Sequence, residues 1–453
     1  MARLFGTDGV RGVANRDITA ELALDLAVAA AHVLAERGEF SGHRPRAVLG
    51  RDTRLSGQFL SSAVAAGLAS AGVDVIDLGV FPTPGIAYLT GSTEADLGVV
   101  ISASHNPMPD NGIKFFARGG VKLPDAVEEA IEARVGEPWE RPTGGAVGEV
   151  ISSDELSADY LAHLVHAVQE FGGAESPLNG LTIVVDGAHG AASAIGPAAL
   201  EAAGATVVRL HCAPDGRNIN AGVGSTHLGP LAAAVVSKGA DMGVAFDGDA
   251  DRCLAIDEAG AIINGDHILG LLARAMRDAG TLYRDTMVAT VMSNLGLHHA
   301  MRKAHIDIVE TAVGDRYVLE AMREGGYTLG GEQSGHVIMS RYATTGDGVL
   351  TSLLLASLVA RNGSLAELAR GVQTLPQVLI NVAGVDRSRV YTDAELGKEL
   401  ESVRDELGDS GRVLLRASGT EPLIRVMVEA STPEAAQQHA DRLAAVVAVR
   451  LSL

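Results

Sequence analysis

Cysteine is nearly absent from this chain. Cys212 and Cys253 are the only two, too few for a disulfide framework and without zinc-site spacing. Both are therefore expected to be buried small hydrophobes in a reducing compartment. Aromatic residues make up only 4% of the 453 positions, so the core has to come from Ala, Val, Leu and Ile packed around many glycines. No apolar run is long enough to span a bilayer. Residues 22–34 carry Asp25 and His32 and read instead as an amphipathic helix. The opening MARLFGTDGVRG lacks a hydrophobic signal core, which makes a soluble, cytoplasmic protein the expectation. Positive charge is scarce too: the net charge is −20, and Lys114, Lys122, Lys238, Lys303 and Lys398 are the only lysines. Nucleic acid and anionic membrane are thereby excluded as partners, and any phosphate site must be basic locally.

What is present is a pattern used three times. Residues 47–50 read as a strand, 51–57 as a polar turn, 58–71 as a helix and 73–78 as a second strand. The order recurs at 181–185, 186–190, 191–203 and 205–210, and again at 287–291, 292–296, 297–304 and 306–309. Strand–helix–strand units imply parallel sheets with right-handed crossovers, hence three tandem α/β domains with parallel or mixed sheets. After each unit a further strand ends in an unusual loop. Residues 95–100 run into Ser104; 240–246 echo them and run into Asp247-Gly248-Asp249-Ala250-Asp251-Arg252; 327–330 run into Gly331-Glu332-Gln333-Ser334-Gly335-His336. Ligands of open parallel sheets bind beyond the carboxyl ends of the strands, so the three loops are expected to face one cleft. The last segment departs from the pattern. Strands at 377–382, 412–415 and 424–429, with helices near 393–407 and from about 434, give a C-terminal α+β domain. The expected domains are 1–150, 151–259, 260–372 and 373–453.

The loops carry chemistry. Ser102-Ala103-Ser104-His105-Asn106-Pro107 follows an apolar strand, where an α/β protein places a nucleophile, although a Ser/Asn/Pro turn that only reverses the chain has the same composition. Asp247, Asp249 and Asp251 alternate with small residues, so in an extended loop three carboxylates converge on one cation. Oxygen ligands alone favour Mg²⁺. A calcium EF-hand is ruled out because Arg252 takes its glycine position and the flanks read as strands. Arg11, within the glycine-rich loop 6–12, supplies fixed positive charge together with Lys114 and Arg252. His105, His336 and Lys114 are candidates for moving a hydroxyl proton, or for only orienting a neighbour. Glu332 and Ser334 suit vicinal sugar hydroxyls, or cap a helix. Arg416, Ser418, Gly419 and Thr420, with Arg425 nearby, suit a phosphate, or form a plain hairpin.

Taken in this order, the serine, aspartate, glutamate and 416–422 motifs resemble the α-D-phosphohexomutases over the whole chain, with no departure at a motif position. Residues 6–12, Gln333 and Gly419-Thr420-Glu421 are similar to bacterial members acting on an amino sugar. The resemblance implies a heart-shaped, four-domain isomerase in which Ser104 rests as phosphoserine, with Mg²⁺ held by Ser104, Asp247, Asp249 and Asp251. It implies exchange of glucosamine 6-phosphate and glucosamine 1-phosphate through glucosamine 1,6-bisphosphate. That bisphosphate or glucose 1,6-bisphosphate would serve as primer, and the product would feed UDP-N-acetylglucosamine and cell-wall synthesis. The fourth-domain loop would hold whichever phosphate is not reacting. A phosphosugar is the expected partner, and a homodimer stays open. Phosphoglucomutase or phosphomannomutase activity, a non-catalytic sugar-phosphate sensor and a leaky phosphatase are the rival readings.

Overall fold

The computed structural model describes residues 4–6, 8–153, 155–417 and 423–453. They form two compact units, Met1–Met292 with His305–Gly371, and Ser293–Ala304 with Val372–Leu453. Among the described residues, no helix is long and apolar enough to cross a membrane.

The first unit holds three sheets built to one plan. In the first, Arg46–Arg51 pairs in parallel with Asp74–Val80 on one side and Leu97–Ile101 on the other. In the second, Thr182–Asp186 stands in the same way between Thr206–Leu210 and Met242–Phe246. In the third, Thr286–Thr290 stands between Asp307–Thr311 and Leu329–Gly331. In each sheet a fourth strand, Asp110–Ala117, Cys253–Asp257 or Val337–Met339, returns antiparallel to the third. The spatial order is therefore 2-1-3-4 three times, and each unusual loop is the connection of an antiparallel hairpin. The triplication is as expected, and so is a strand after the aspartate loop; the return strand Asp110–Ala117 is not, because Asp110, Asn111 and Lys114 disguise its strand character, and Val337–Met339 is only three residues long.

Three local readings change. Residues 9–13 are a strand rather than a loop: Gly9–Val13 pairs with Asp110–Ala117, setting Arg11 opposite Gly112. The helix Ala20–Glu36, capped by Thr19, is not amphipathic, for Leu26 to Ala31 are all buried. It is enclosed by Leu55–Ser70 and Asp125–Ala133, and its alanines allow close approach on several sides. Cys253 is fully buried, but Cys212 only partly so. The first sheet also continues beyond residue 148, where Val150–Ser152 pairs with Asp74–Val80.

The helix Gly348–Asn362 is buried over almost its whole length and packs against Glu155–Gly172, Gly265–Asp278 and the strand Cys253–Asp257. Asp347 caps it, accepting from the Leu350 amide at 2.9 Å. Its first residue cannot be larger than glycine, since a Cβ on Gly348 would run into the Arg252 carbonyl. That fit lets the Gly348 amide donate to the Ala250 carbonyl at 2.9 Å, tying the helix to the aspartate loop.

The second unit has an antiparallel sheet in the order Gln377–Ala383, Leu423–Glu429, Arg412–Ala417. The helices Ala394–Leu407 and Pro433–Arg450 cover it, as α+β patterning predicts. The helix Leu295–Lys303 belongs to this unit, where the Leu295 amide donates to the buried Glu429 carboxylate at 2.8 Å.

Candidate active site

Ser104 heads the first hairpin in the left-handed region, with φ +50°. Its amide donates to Ser102 Oγ at 2.9 Å, and Ser102 Oγ donates to Asp52 Oδ2 at 2.6 Å. The Ser104 hydroxyl donates to Asp247 Oδ2 and lies 3.2 Å from His105 Nδ1. Two loops more than a hundred residues apart thus meet at the proposed nucleophile.

Asp247, Asp249 and Asp251 are all buried, with a carboxylate oxygen of each within 4.8 Å of the others. They converge because the loop is a tight turn, not the extended run expected. The Ala250 amide bonds the Asp247 carbonyl at 3.2 Å, and Ala250 has φ +59°. Asp249 Oδ1 and Asp251 Oδ1 are buried without a hydrogen-bond partner. Burial, with Asp251 and Asp249 adding to it, pushes the Asp247 carboxyl well above the usual carboxylate range. Burial would push Asp249 the same way, but the Lys114 ammonium and a hydrogen bond from Thr83 hold it down at about 2. Three buried carboxylates, two of them with an oxygen that has no hydrogen-bond partner, suit a divalent cation.

Lys114, on the return strand Asp110–Ala117, lies among carboxylates: 2.9 Å from Asp249, 2.8 Å from Asp8 and 3.6 Å from Asp251. Burial opposes its charge, yet these three acids raise it well above the ordinary ammonium range. Among these carboxylates its ammonium form is the favoured one. His105 is the reverse case: burial, then Arg252 and Arg11, lower it to about 4, so its ring is neutral at pH 7. Arg11 pairs with Asp8, and Arg252 Nε lies 3.7 Å from Asp251.

The third loop is a hairpin turn, not a helix start. The Glu332 amide bonds the His336 carbonyl at 2.9 Å, and the Gly335 amide bonds the Glu332 carbonyl at 3.0 Å. It docks on the aspartate hairpin, the Cys253 amide donating to the Gly335 carbonyl at 3.0 Å. Glu332 Oε1 accepts from the Gly314 amide at 3.2 Å, and Gln333 turns aside to donate to Asp266 at 2.8 Å. Ser334 Oγ and both His336 ring nitrogens are buried without a hydrogen-bond partner among the described residues, which leaves them able to bond a ligand. Asp315 stands 3.7 Å from His336 Nε2.

In the second unit Arg416 and Arg425 are direct cross-strand partners. Two guanidinium groups side by side repel unless an anion lies with them, and Arg425 Nε is buried without a partner. Ser418, Gly419 and Thr420 lie outside the described residues.

Several residues were missed by sequence reasoning. Thr83 donates to Asp249 Oδ2 at 2.6 Å. Lys122 bridges Asp8 and Asp315, continuing the alternation of charge from Lys114 toward His336. Asp52 lies in a stretch read only as a polar turn; its place at the carboxyl end of the first parallel strand was the usable signal. Thr83, in Pro82-Thr83-Pro84, offered none.

Known proteins share this architecture. The chain matches the phosphoglucomutase/phosphomannomutase alpha/beta/alpha domains I, II and III over residues 2–141, 158–260 and 264–375, and the family's C-terminal domain over 379–446. It is 64% identical to the phosphoglucosamine mutase of Acidothermus cellulolyticus, covering 99% of this chain and 96% of that one. It is 62% identical to the phosphoglucosamine mutase of Streptomyces griseus subsp. griseus over 99% of both. A phosphoglucomutase/phosphomannomutase family protein of Burkholderia thailandensis superposes with a TM-score of 0.80 at 25% identity, covering 99% of this chain and 98% of the other.

Proposed function

Because the chain belongs to the phosphoglucomutase/phosphomannomutase family, the α-D-phosphohexomutases, we propose that it is an isomerase interconverting glucosamine 6-phosphate and glucosamine 1-phosphate. The observation that carries the reading is the hydrogen bond from Ser104 Oγ to Asp247, made inside a buried carboxylate triad. The amino-sugar choice is supported by the names of relatives 62–64% identical over nearly full length.

Ser104 is proposed to rest as phosphoserine. When the 1-hydroxyl of glucosamine 6-phosphate attacks phosphorus, the Oγ–P bond breaks, a new O–P bond forms, and glucosamine 1,6-bisphosphate results. The hydroxyl proton passes to a side chain of the site, for which His105, His336 and Lys114 are the candidates; the reading of His336 is supported by its buried ring nitrogens, which have no hydrogen-bond partner. The bisphosphate then turns over, and its 6-phosphoryl returns to Ser104 by the reverse displacement. Asp247, Asp249 and Asp251 are the residues that would hold Mg²⁺, whose charge stabilises the departing serine oxygen. Lys114, Arg11 and Arg252 hold positive charge beside the transfer path. Glu332 and Ser334 orient the sugar hydroxyls. Arg416 and Arg425, with Ser418, Gly419 and Thr420, take the phosphate that is not reacting, since guanidinium–phosphate pairing is indifferent to the carbon bearing it. Domain divisions near residues 150, 260 and 372 and a cytoplasmic location belong to the same proposal.

A coupled assay comparing glucosamine, glucose and mannose phosphates, primed with a sugar 1,6-bisphosphate, tests the substrate. Faster turnover of glucose or mannose phosphate would move the assignment to another member of the family.

A further inference from the structure

The Ser104 loop is held by a device that none of the motifs contains. Arg54 is fully buried at the N-terminal end of the helix Leu55–Ser70, beside the equally buried Asp52 with which it pairs. Its Nη2 donates to the Ser104 carbonyl at 3.1 Å and to the Asn106 carbonyl at 2.6 Å. Asn220, in the second repeat, repeats the grip: its Nδ2 donates to the same two carbonyls at 2.9 and 3.0 Å. Each nitrogen carries two hydrogens and each carbonyl two lone pairs, so four bonds use every donor and acceptor site.

The same point is where the serine and aspartate loops touch. Gly248 lies so close that a Cβ there would stand 2.5 Å from the Ser104 carbonyl oxygen and 2.9 Å from Asn220 Nδ2. Asn220 itself sits in the left-handed region, φ +57°, with its amide bonded to the Ala188 carbonyl at 3.0 Å. One side chain of the second repeat therefore grips the serine loop while resting on the neck of the aspartate loop. A serine at φ +50° is a strained conformation for an L-residue and persists only where its surroundings impose it.

We propose that Asn220, together with Arg54, is a positioning residue for phosphoryl transfer: the pair locks the Ser104 backbone and so fixes where Oγ stands relative to Asp247, Asp249 and Asp251. The inference deepens the mutase reading and rests on it for its kinetic arm. Neither residue touches the reacting atoms. Release of the clamp lets Ser104 relax toward an ordinary backbone conformation and carries Oγ away from the carboxylates.

The test is Asn220→Gly, which keeps the left-handed backbone open to the chain while deleting both donors. Asn220→Asp keeps the shape but turns an acceptor toward two carbonyls. The expected result for Asn220→Gly is a kcat lowered about 10- to 100-fold, as for supporting-layer contacts elsewhere. KM for the sugar phosphate should change less than about twofold. Single-turnover transfer from phosphorylated Ser104 should slow by the same factor, and more in Asn220→Asp. A crystal structure of Asn220→Gly should show Ser104 out of the left-handed region and its contact with Asp247 lost. Single-turnover rates equal to wild type overturn the inference, as does a variant structure in which Ser104 keeps its φ and its contact with Asp247. Wild-type protein with neither phosphate on Ser104 nor mutase activity defeats the functional reading instead; the variant structure then still decides whether the clamp holds the serine.

Discussion

In the first unit the charges near Ser104 are locked in place: Lys114 lies among three carboxylates, Arg54 pairs with Asp52, and Arg11 pairs with Asp8. In the second unit the two notable arginines, Arg416 and Arg425, face each other across a pair of strands. On the proposed reading both regions handle phosphate, under different demands. A phosphorus changing partners needs its neighbours fixed, because the barrier responds steeply to the placement of charge. A spectator phosphate needs only to be held, and either end of the bisphosphate must fit. On that reading, rigidity belongs where bonds change, and a facing pair of guanidinium groups where they do not.

That contrast breaks first at the nucleophile. Ser104→Ala should lose the phosphate seen by intact-mass measurement and lower kcat by on the order of 10⁴-fold or more, as removal of a covalent nucleophile does. Retained activity would remove Ser104 as the nucleophile. Next comes Asp249→Ala, expected to lower Mg²⁺-dependent turnover by about three orders of magnitude, several kcal/mol of charge stabilisation. Full activity in excess chelator would remove the cation from the scheme. Arg416→Ala should then raise KM roughly tenfold with kcat nearly unchanged; a loss confined to kcat would mean that the second unit also acts on the transition state, erasing the distinction.

The smallest effect concerns stability within the first unit. Burial raises the carboxyl of Asp347, bonded by Tyr160 and the Leu350 amide, from 3.8 to about 6. Between those values the folded protein binds the extra proton. This contribution to stability is therefore fully present below pH 3.8 and is lost as pH rises toward 6. It amounts to roughly 2–3 kcal/mol at about 1.4 kcal/mol per unit of pKa. Urea denaturation of Asp347→Asn should lack that component, so its stability relative to wild type should rise from pH 4 to 6. A pH-independent difference would show that Asp347 titrates normally.

Much of this was legible because each strand–helix–strand unit keeps a plain alternation of apolar run, polar turn and small-residue helix end. The loops after residues 100, 246 and 330 stood out through chemistry that a core cannot hold. Residues 110–117 were not legible as a strand: Lys114 reaches Asp249, Asp110 accepts from Asn106 and Asn111 donates to Ser56, and their polarity masks the ladder with Leu97–Ile101. Lys122, Asp315, Thr83 and Asn220 escaped for another reason. Each acts through a partner far along the chain, as Asn220 does on Ser104, and spacing says nothing of such pairs. The aspartate motif was found for an imperfect reason, since its side chains converge through a turn at Ala250 rather than through the pleat of an extended segment.

The bond from the Gly348 amide to the Ala250 carbonyl also bears on how the protein is made. Translation delivers the aspartate hairpin well before the helix that braces it, so a nascent chain has two sheets outside the ribosome and an aspartate loop still missing a strut. The brace comes late, from a segment well beyond the loop it holds. A polypeptide cut short ahead of residue 348 would retain Ser104 and all three aspartates but lose the bond to the Ala250 carbonyl.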